Sequence, residues 1–513
     1  MTQDVFFRIF NTDRKQMEQT VAAGMSGGGS WCDLYFEYTV YNDLMLRDGE
    51  VNSGGYHEDF GVGIRVLSGE KTGYAYSEST GPKDMLAAAE AAATIASSGM
   101  GARSGSVCAA RPEGKISGHA VGIPVSGRNC TAVPGITGTA RPEGGFAAMH
   151  TATPHPDLYP AAETWDTARH ERFLPFLKRL ENSVRARDSR VEKVIARISD
   201  CQSHIMMFNS NGELVCDSRP MCSITVSAIF VMGDRRENKT ASWSYRCGAE
   251  MIGDALAEQL AEETVSGIDA RFEAKRPKGG EMPVVMGAGA SGILLHEAMG
   301  HAFEADFNRK GQSVFSGKTG QKICSPDISI VDDGTIAGNR GACNYDDEGV
   351  PGQKTYMVKD GILTSYLHDR ISASWYGVAP TGNGRRESFR FNPIPRMRAT
   401  YMENGTAAPE DIIASVRHGI YVDEFSNGQV RIGEGDFTFY VRSGFLIEDG
   451  RLTAPVKDIN VIGNGPEALA RIEAVGNDLK IDNGTWTCGK EQSVPVSLGI
   501  PTVLISSLIV GGE

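Results

Sequence analysis

The chain has 513 residues, of which 41% are hydrophobic and 22% are charged, a composition typical of a globular protein with more than one domain. Its formal net charge of −13 argues against a surface that binds nucleic acid, and no stretch of about eighteen apolar residues could span a membrane. The N-terminus lacks the basic and apolar segments of a signal peptide and the 10 cysteines include no Cys-x-x-Cys pair, so we expect a cytoplasmic protein with reduced thiols.

Helices and strands alternate through the first part of the chain. Residues 14–23 have the spacing of a helix, and residues 33–41 alternate apolar and polar side chains as a strand does. Strand patterns recur at 61–67 and 72–76, and an alanine-rich helix with a proline in its first turn follows at 82–96. This order predicts a layer of α/β or α+β structure.

The pattern ends between about residues 104 and 152, where Gly, Ala, Pro, Ser and Arg dominate. The pentapeptide Ala-Arg-Pro-Glu-Gly occurs there twice, at 110–114 and 140–144. A segment of this composition lacks the apolar residues that a packed core requires. We interpret it as an exposed insertion or linker that interrupts the N-terminal domain.

Regular patterns resume after the insertion. A charged helix is predicted at about 161–186, strands at 191–199, 205–209 and 223–232, and a long amphipathic helix at about 249–265. These elements complete an N-terminal α/β domain that extends from residue 1 to about residue 275.

The second half has a different character, because strands and turns dominate it. Asp360-Gly361 and Asp449-Gly450 each separate two strand-like segments, and such dipeptides are typical of tight hairpins. Short helices are predicted near 409–417, near 465–474 and around residue 296. We therefore predict an α+β fold with a β-rich C-terminal domain at residues 276–513.

Two histidines and a glutamate lie close together near the start of this domain. His296-Glu297 is followed by His301, and two imidazoles beside a carboxylate are the usual parts of a zinc hydrolase. The two histidines are five positions apart, so they lie about 140° apart on a regular α-helix. One ion can bind both only if this metal-binding helix widens, bends or ends close to Gly300.

The glycine-rich segment before this helix resembles a nucleotide-binding motif. Residues 287–292, Gly-Ala-Gly-Ala-Ser-Gly, match the dinucleotide fingerprint and join a strand to the helix. No clean second strand of a βαβ unit follows, and the helix interior contains His296 and Glu297. We therefore interpret the glycines as a sharp turn from strand to helix.

Catalytic zinc usually has three protein ligands, so the two histidines need a third. The residues by themselves leave Glu304, Asp306, His368 and the cysteines of the β-rich half as candidates. Among the cysteines, Cys488 is the most suggestive, because it lies in the turn-like sequence Gly-Thr-Trp-Thr-Cys-Gly-Lys. Glu304 and Asp306 are also carboxylates of the kind that orient ligand histidines.

Several stretches of the chain together resemble one known family. They are the His-Glu-x-x-x-His helix at 294–301, Glu-Ala-Asp-Phe at 304–307, Asp-Asp-Glu-Gly at 346–349, Thr-Gly-Asn-Gly-Arg-Arg-Glu-Ser at 381–388, Pro-Arg-Met at 395–397, Cys-Gly-Lys at 488–490 and Ile-Val-Gly-Gly at 509–512. They are similar to the motifs of the TldD/PmbA proteins, once described as modulators of DNA gyrase and now regarded as metalloproteases. The likeness is dense over the second half and looser over the first hundred residues. The metal-binding helix is typical of the TldD branch.

The resemblance implies a zinc site and its residues. His296, His301 and Cys488 are the implied zinc ligands, and Glu297 is the implied general base. The family also implies an α/β N-terminal domain, a β-rich C-terminal domain and pairing of two subunits around an enclosed chamber. The second subunit is either a PmbA-like partner or another copy of this chain.

The function expected from these residues is zinc-dependent hydrolysis of peptide bonds. Glu297 removes a proton from zinc-bound water and later delivers it to the leaving amine. A β-rich domain can bind an extended peptide at a sheet edge, so the expected substrates are unfolded. Two alternatives are a non-catalytic adaptor whose structural metal has four protein ligands, and a metal-dependent amidase that acts on small molecules in a narrow pocket.

Overall fold

A computed structural model describes residues 2–98, 157–431 and 434–512. The insertion predicted at 104–152 lies outside these described residues. The α-helices of the described chain are α1 Gln3–Ile9, α2 Arg14–Met25, α3 Pro82–Ser97, α4 Leu174–Arg187, α5 Asp254–Val265, α6 Ile268–Glu273, α7 Ile293–Ala298, α8 Ala305–Arg309, α9 Arg370–Tyr376, α10 Pro409–Ala414 and α11 Gly465–Ala470.

The described residues of the first half form one six-stranded antiparallel sheet. Its strands are β1 Trp31–Arg47, β2 Glu50–Ser68, β3 Lys71–Ser77, β4 Val191–Asn209, β5 Leu214–Met232 and β6 Arg235–Tyr245. Their order is β3-β2-β1-β4-β5-β6. Val194, Ala196 and Ile198 of β4 contribute to one of the two cores on which the helices pack, and Met206 and Phe208 contribute to the other. Because side chains of a strand alternate between faces, α1 to α6 cover one face and leave the other for the second half of the chain.

The structure confirms the helices predicted at 14–23 and 82–96 and corrects other elements. The strands predicted at 191–199 and 205–209 are one strand, β4, because buried Gln202 and His204 have hydrogen-bond partners that make polar residues acceptable there. The helix predicted at 161–186 is shorter, since α4 begins only where Pro175 can occupy its first turn. Before it, the Trp165 indole donates to the carbonyl of Cys247 at 2.7 Å.

In the second half, the residues that the structure describes form two larger sheets and two small ones. Its strands are β7 Gly280–Met286, β8 Ile330–Asp333, β9 Lys354–Lys359, β10 Ile362–Leu363, β11 Gly384–Arg385, β12 Ile394–Pro395, β13 Ala399–Met402, β14 His418–Val430, β15 Asp436–Glu448, β16 Arg451–Val456, β17 Ile459–Asn464, β18 Ile472–Val475, β19 Lys480–Asp482, β20 Thr487–Lys490, β21 Gln492–Pro495, β22 Ser497–Ile500 and β23 Val503–Gly511.

One large sheet of this half has the order β10-β9-β8-β13-β22-β19. In the other, β14, β7, β23, β17 and β15 pair in succession and β15 pairs again with β14, so these five strands close into a ring. Helix α7 lies in the large core that both sheets share, with Leu294 and Leu295 fully buried. The α+β fold class is therefore confirmed, and the division of domains near residue 275 stays a prediction.

Both predicted hairpins are confirmed. Asp360 and Gly361 have φ angles of 50° and 77°, and Asp449 and Gly450 have φ angles of 48° and 76°. Two consecutive residues with positive φ form the turn type that matches the twist of paired strands. Among the described helices, none combines the length and the apolar composition that crossing a membrane requires.

The glycine-rich segment at 287–292 is a tight connection from β7 to α7, as predicted from the sequence. Gly289 has a φ of 99°, a conformation that favours glycine. Gly292 packs directly on β22, where an added Cβ would lie 2.9 Å from the backbone carbon of Gly499. The glycines therefore let the metal-binding helix approach the sheet closely.

We expect Gly292→Ala to destabilise the protein by about 1–3 kcal/mol, because the new methyl group meets backbone atoms that cannot rotate away. The lowered thermal midpoint would be measured by calorimetry. Gly54→Ala is the matched control, since the nearest atom to its added Cβ is 3.8 Å away. Equal thermal midpoints for the two variants would contradict the close approach at Gly292.

Candidate metal centre

The helix that contains the two histidines ends between them. Helix α7 ends at Ala298, Met299 has φ −128° and ψ −42°, and residues 300–303 form a separate 3-10 turn. This break confirms the prediction that the segment is not one regular α-helix. At the break, Gly300 lies against the Met397 side chain, because an added Cβ would be 2.3 Å from its sulfur.

The break brings His296 and His301 toward one side, where they meet a cysteine from the far end of the chain. Cys488 lies on β20, in the hairpin β20–β21. The donor atoms of His296, His301 and Cys488 all lie within 4.8 Å of one another, and the three residues are 1%, 2% and 1% exposed. The Cys488 Sγ is 3.3 Å from the His301 Nε2. Three potential metal ligands therefore converge in one buried place.

A buried carboxylate orients His301. The Nδ1 of His301 is 2.9 Å from Oε2 of Glu304, and Glu304 is fully buried. Lys490 Nζ lies 3.0 Å from Glu304 and 2.8 Å from Asp306, so both carboxylates are already paired. Because Nδ1 is engaged, Nε2 is the ring nitrogen that faces Cys488, an arrangement typical of metal-bound histidines.

The electrostatics of the cluster favour a bound cation. Burial raises the pKa of the Cys488 thiol, but the His296 and His301 imidazoles outweigh burial and lower this pKa to about 4. Burial lowers the pKa of His301, whereas Glu304 and Cys488 raise it to about 10. Burial raises the pKa of Glu304, but Lys490 and His301 lower it to about 2. A thiolate and a carboxylate thus place negative charge around the imidazoles.

The residues present fit a zinc ion. Both ring nitrogens of the buried His296 lack a hydrogen-bond partner within the described chain, which is costly unless something else binds them. Two imidazoles and one thiolate are also donors that zinc prefers. The cluster contains three donors, the number typical of a catalytic zinc site, whereas a structural site has four.

Glu297 differs from the three donors because it reaches solvent. Its side chain is 32% exposed, and Oε2 lies 3.9 Å from the Nε2 of His301. A carboxylate in this place is close enough to the metal donors to act on a water molecule beside them. The structure therefore places the predicted base next to the predicted ligands.

Other residues that the sequence left open do not join the cluster. His368 is buried among aromatic rings, with Tyr376 at 5.3 Å between ring centroids. Glu304 and Asp306 contact Lys490 as described above. Lys490 and Arg396 had no role predicted from the sequence, yet both lie at the site. Arg396 donates to the carbonyl of Cys488 at 2.6 Å. Both residues lie in stretches that carry the family resemblance, 488–490 and 395–397, and this was the sequence feature that could have identified them.

Comparison with known proteins identifies three matching domains. Residues 279–512 match the PmbA/TldA metallopeptidase C-terminal domain, residues 32–96 match domain 1 of the same metallopeptidases, and residues 155–268 match their central domain. A protein of Haemophilus influenzae named metalloprotease TldD homolog is 37% identical over 94% of this chain and 93% of its own length. A protein of Saccharolobus solfataricus named zinc metalloprotease TldD homolog is 32% identical over 47% of this chain and 54% of its own length.

Solved structures share the fold. A Thermotoga maritima protein described as a modulator of DNA gyrase has a TM-score of 0.73 at 20% identity and covers 97% of this chain and 99% of its own. TldE from Thermococcus kodakarensis has a TM-score of 0.68 at 19% identity and covers 97% of this chain and 100% of its own. At these identities the likeness shows a common architecture and does not extend to activity.

Proposed function

Since this chain belongs to the TldD/PmbA family of metallopeptidases, we propose that it hydrolyses peptide bonds with a zinc ion bound by His296, His301 and Cys488. The observation that carries the proposal is the convergence of these three buried donors beside a partly exposed carboxylate, Glu297. The relative from Saccharolobus solfataricus is named a zinc metalloprotease, and this name supports the choice of metal.

The residues of the chain divide the chemistry among them. A bound zinc ion would polarise the peptide carbonyl and acidify water. Glu297 accepts the proton of the attacking water on a carboxylate oxygen and then donates it to the nitrogen of the leaving amine. Glu304 keeps the Nδ1 of His301 engaged, which holds this ring in position, and Lys490 holds Glu304.

The substrates we propose are unfolded or extended peptides. The hairpin β20–β21 pairs with no further strand in the part of the chain that the structure describes, and it contains Cys488. A peptide in extended conformation can add to a strand edge through main-chain hydrogen bonds. Binding of this kind places a backbone carbonyl near the metal donors without requiring a particular side chain.

We also propose that the active species is a dimer, formed with a PmbA-like subunit or with a second copy of this chain. TldE, which shares the fold of this chain, is the kind of protein that would supply the other subunit. A closed chamber between two subunits would exclude folded proteins and admit unfolded peptides.

The test compares cleavage of the same polypeptide in its unfolded and its folded form. We expect the purified chain, alone or mixed with a PmbA-like subunit, to contain zinc and to cut a reduced, carboxymethylated polypeptide but not its folded form. A chelator should abolish cleavage, and added zinc should restore it. Cleavage that persists after the metal has been removed would contradict the proposal, and a zinc-containing protein without cleavage in any mixture would favour the adaptor.

A further inference from the structure

A cavity lies between the two halves of the chain, apart from the metal donors. Its volume is about 360 Å³. One wall is the face of the N-terminal sheet that carries no helices, with Tyr35 and Ile205 among its residues, and the other wall comes from the second half. None of the three metal donors lines this cavity, nor does Glu297. The arginines that line it are Arg219, Arg246, Arg340, Arg385, Arg386 and Arg398.

Four of these arginines are buried and form no ion pair with a carboxylate of the described chain. Their exposed fractions are 8% for Arg246 and Arg340 and 4% for Arg385 and Arg398. Arg340 donates to the Trp486 carbonyl at 2.9 Å and to serine hydroxyls. The partners of the others are also neutral: Arg385 donates to the carbonyls of Met397 and Pro495, Arg398 to that of Gly382, and Arg246 lies over the Tyr159 ring.

The carboxylates around the cavity do not neutralise these charges. Four carboxylates line the cavity, against six arginines. Asp347 pairs with Arg219 at 2.5 Å and Asp200 with His170 at 2.5 Å. Buried Glu37 accepts hydrogen bonds from the Thr39 hydroxyl and the Phe389 amide, and Glu387 accepts one from the Ser493 amide. Each of these acids thus has its own donors. The buried wall therefore has an excess of positive charge.

Buried guanidinium groups without an anion are unfavourable, because neither water nor a counter-ion offsets their desolvation. Burial and the nearby charge of Arg246 lower the pKa of Arg340 to about 10. Burial and the nearby charge of Arg398 lower the pKa of Arg385. In addition, the buried Nε of Arg246 has no hydrogen-bond partner in the described structure. An anion in the cavity would relieve all three effects.

We propose that this cavity is a binding site for a small ligand that presents a phosphate or carboxylate group. Guanidinium groups bind both kinds of oxyanion through paired hydrogen bonds. A volume of about 360 Å³ suits a small molecule. The unpaired Arg246 is the clearest contact, and Arg340, Arg385 and Arg398 add charge from the opposite wall. This site is separate from the metal centre and does not depend on the proposed peptidase activity.

The test is calorimetric titration of the full-length, zinc-loaded protein with inorganic phosphate and, separately, with succinate, at an ionic strength matched with chloride. We expect saturable binding of at least one of the two anions, and the stronger one identifies the chemistry of the natural ligand. Arg246→Met should weaken this binding about tenfold or more, because a charged hydrogen bond is lost. Arg179→Met, which removes an exposed surface charge, should leave it unchanged.

Three results would overturn the proposal. One is the absence of saturable binding of either anion to the unaltered protein, a measurement that needs no variant. Another is binding of equal strength in Arg246→Met and the unaltered protein, which would mean that the anion binds without contacting Arg246, its proposed principal ligand. The third is equal weakening by Arg246→Met and Arg179→Met, which would indicate general electrostatic attraction. If Arg246→Met does not fold by near-ultraviolet circular dichroism, Arg398→Met takes its place.

Discussion

Glu297→Gln is expected to reduce peptide hydrolysis by about 10²–10⁴-fold, the usual contribution of a general acid–base group. The amide has the same shape as the carboxylate but cannot accept a proton from water. Because the three metal donors are other residues, zinc content should not change. The loss should therefore fall on kcat, with little effect on substrate binding.

The measurement combines kcat and KM for an unfolded peptide with zinc content by mass spectrometry of the purified protein. Glu262→Gln is the matched control, because this glutamate lies on the surface of α5 with a side chain 68% exposed. It should retain full activity. Full activity of Glu297→Gln would rule out the proposed base, and loss of zinc in that variant would mean that Glu297 binds the metal.

Cys488→Ser is expected to weaken zinc binding by at least about a hundredfold. Changes in the residues that orient metal ligands already cost about 10–100-fold in affinity, so loss of a direct ligand should cost more. A serine hydroxyl stays neutral where the cysteine is a thiolate, since the pKa of Cys488 is lowered to about 4. Peptide cleavage should fall in parallel and recover partly at high zinc concentration.

Zinc affinity would be measured by competition with a chromogenic chelator. Cys324→Ser is the matched control, because Cys324 is a buried free cysteine of the same half that lies outside the donor cluster. We expect its zinc affinity to equal that of the unaltered protein. Unchanged affinity in Cys488→Ser would disprove the proposed ligand set and would turn attention to Glu304.

The sequence by itself predicted those features that depend on neighbouring residues. The hairpins at Asp360-Gly361 and Asp449-Gly450 follow from turn chemistry, and the helices at 14–23 and 82–96 follow from side-chain spacing. The break near Gly300 followed from helix geometry together with the assumption that both histidines bind one ion, because two imidazoles five positions apart cannot share a face of a regular helix. The continuity of β4 could not be predicted in the same way, because a polar segment interrupts its apolar pattern. Only the hydrogen-bond partners of Gln202 and His204 explain why the strand continues through that segment.

The tertiary structure decided which distant residues meet. Cys488 lies 187 positions from His301, and no local pattern of the residues distinguishes it from Glu304, Asp306 or His368 as a third ligand. The family resemblance implied Cys488 as the third ligand, and in the folded chain Cys488 lies next to both histidines. The arginine cavity could not be predicted from the sequence, because its charges come from segments far apart in the chain. Spacing along a sequence determines local geometry, whereas burial and charge balance depend on how sheets and loops pack together.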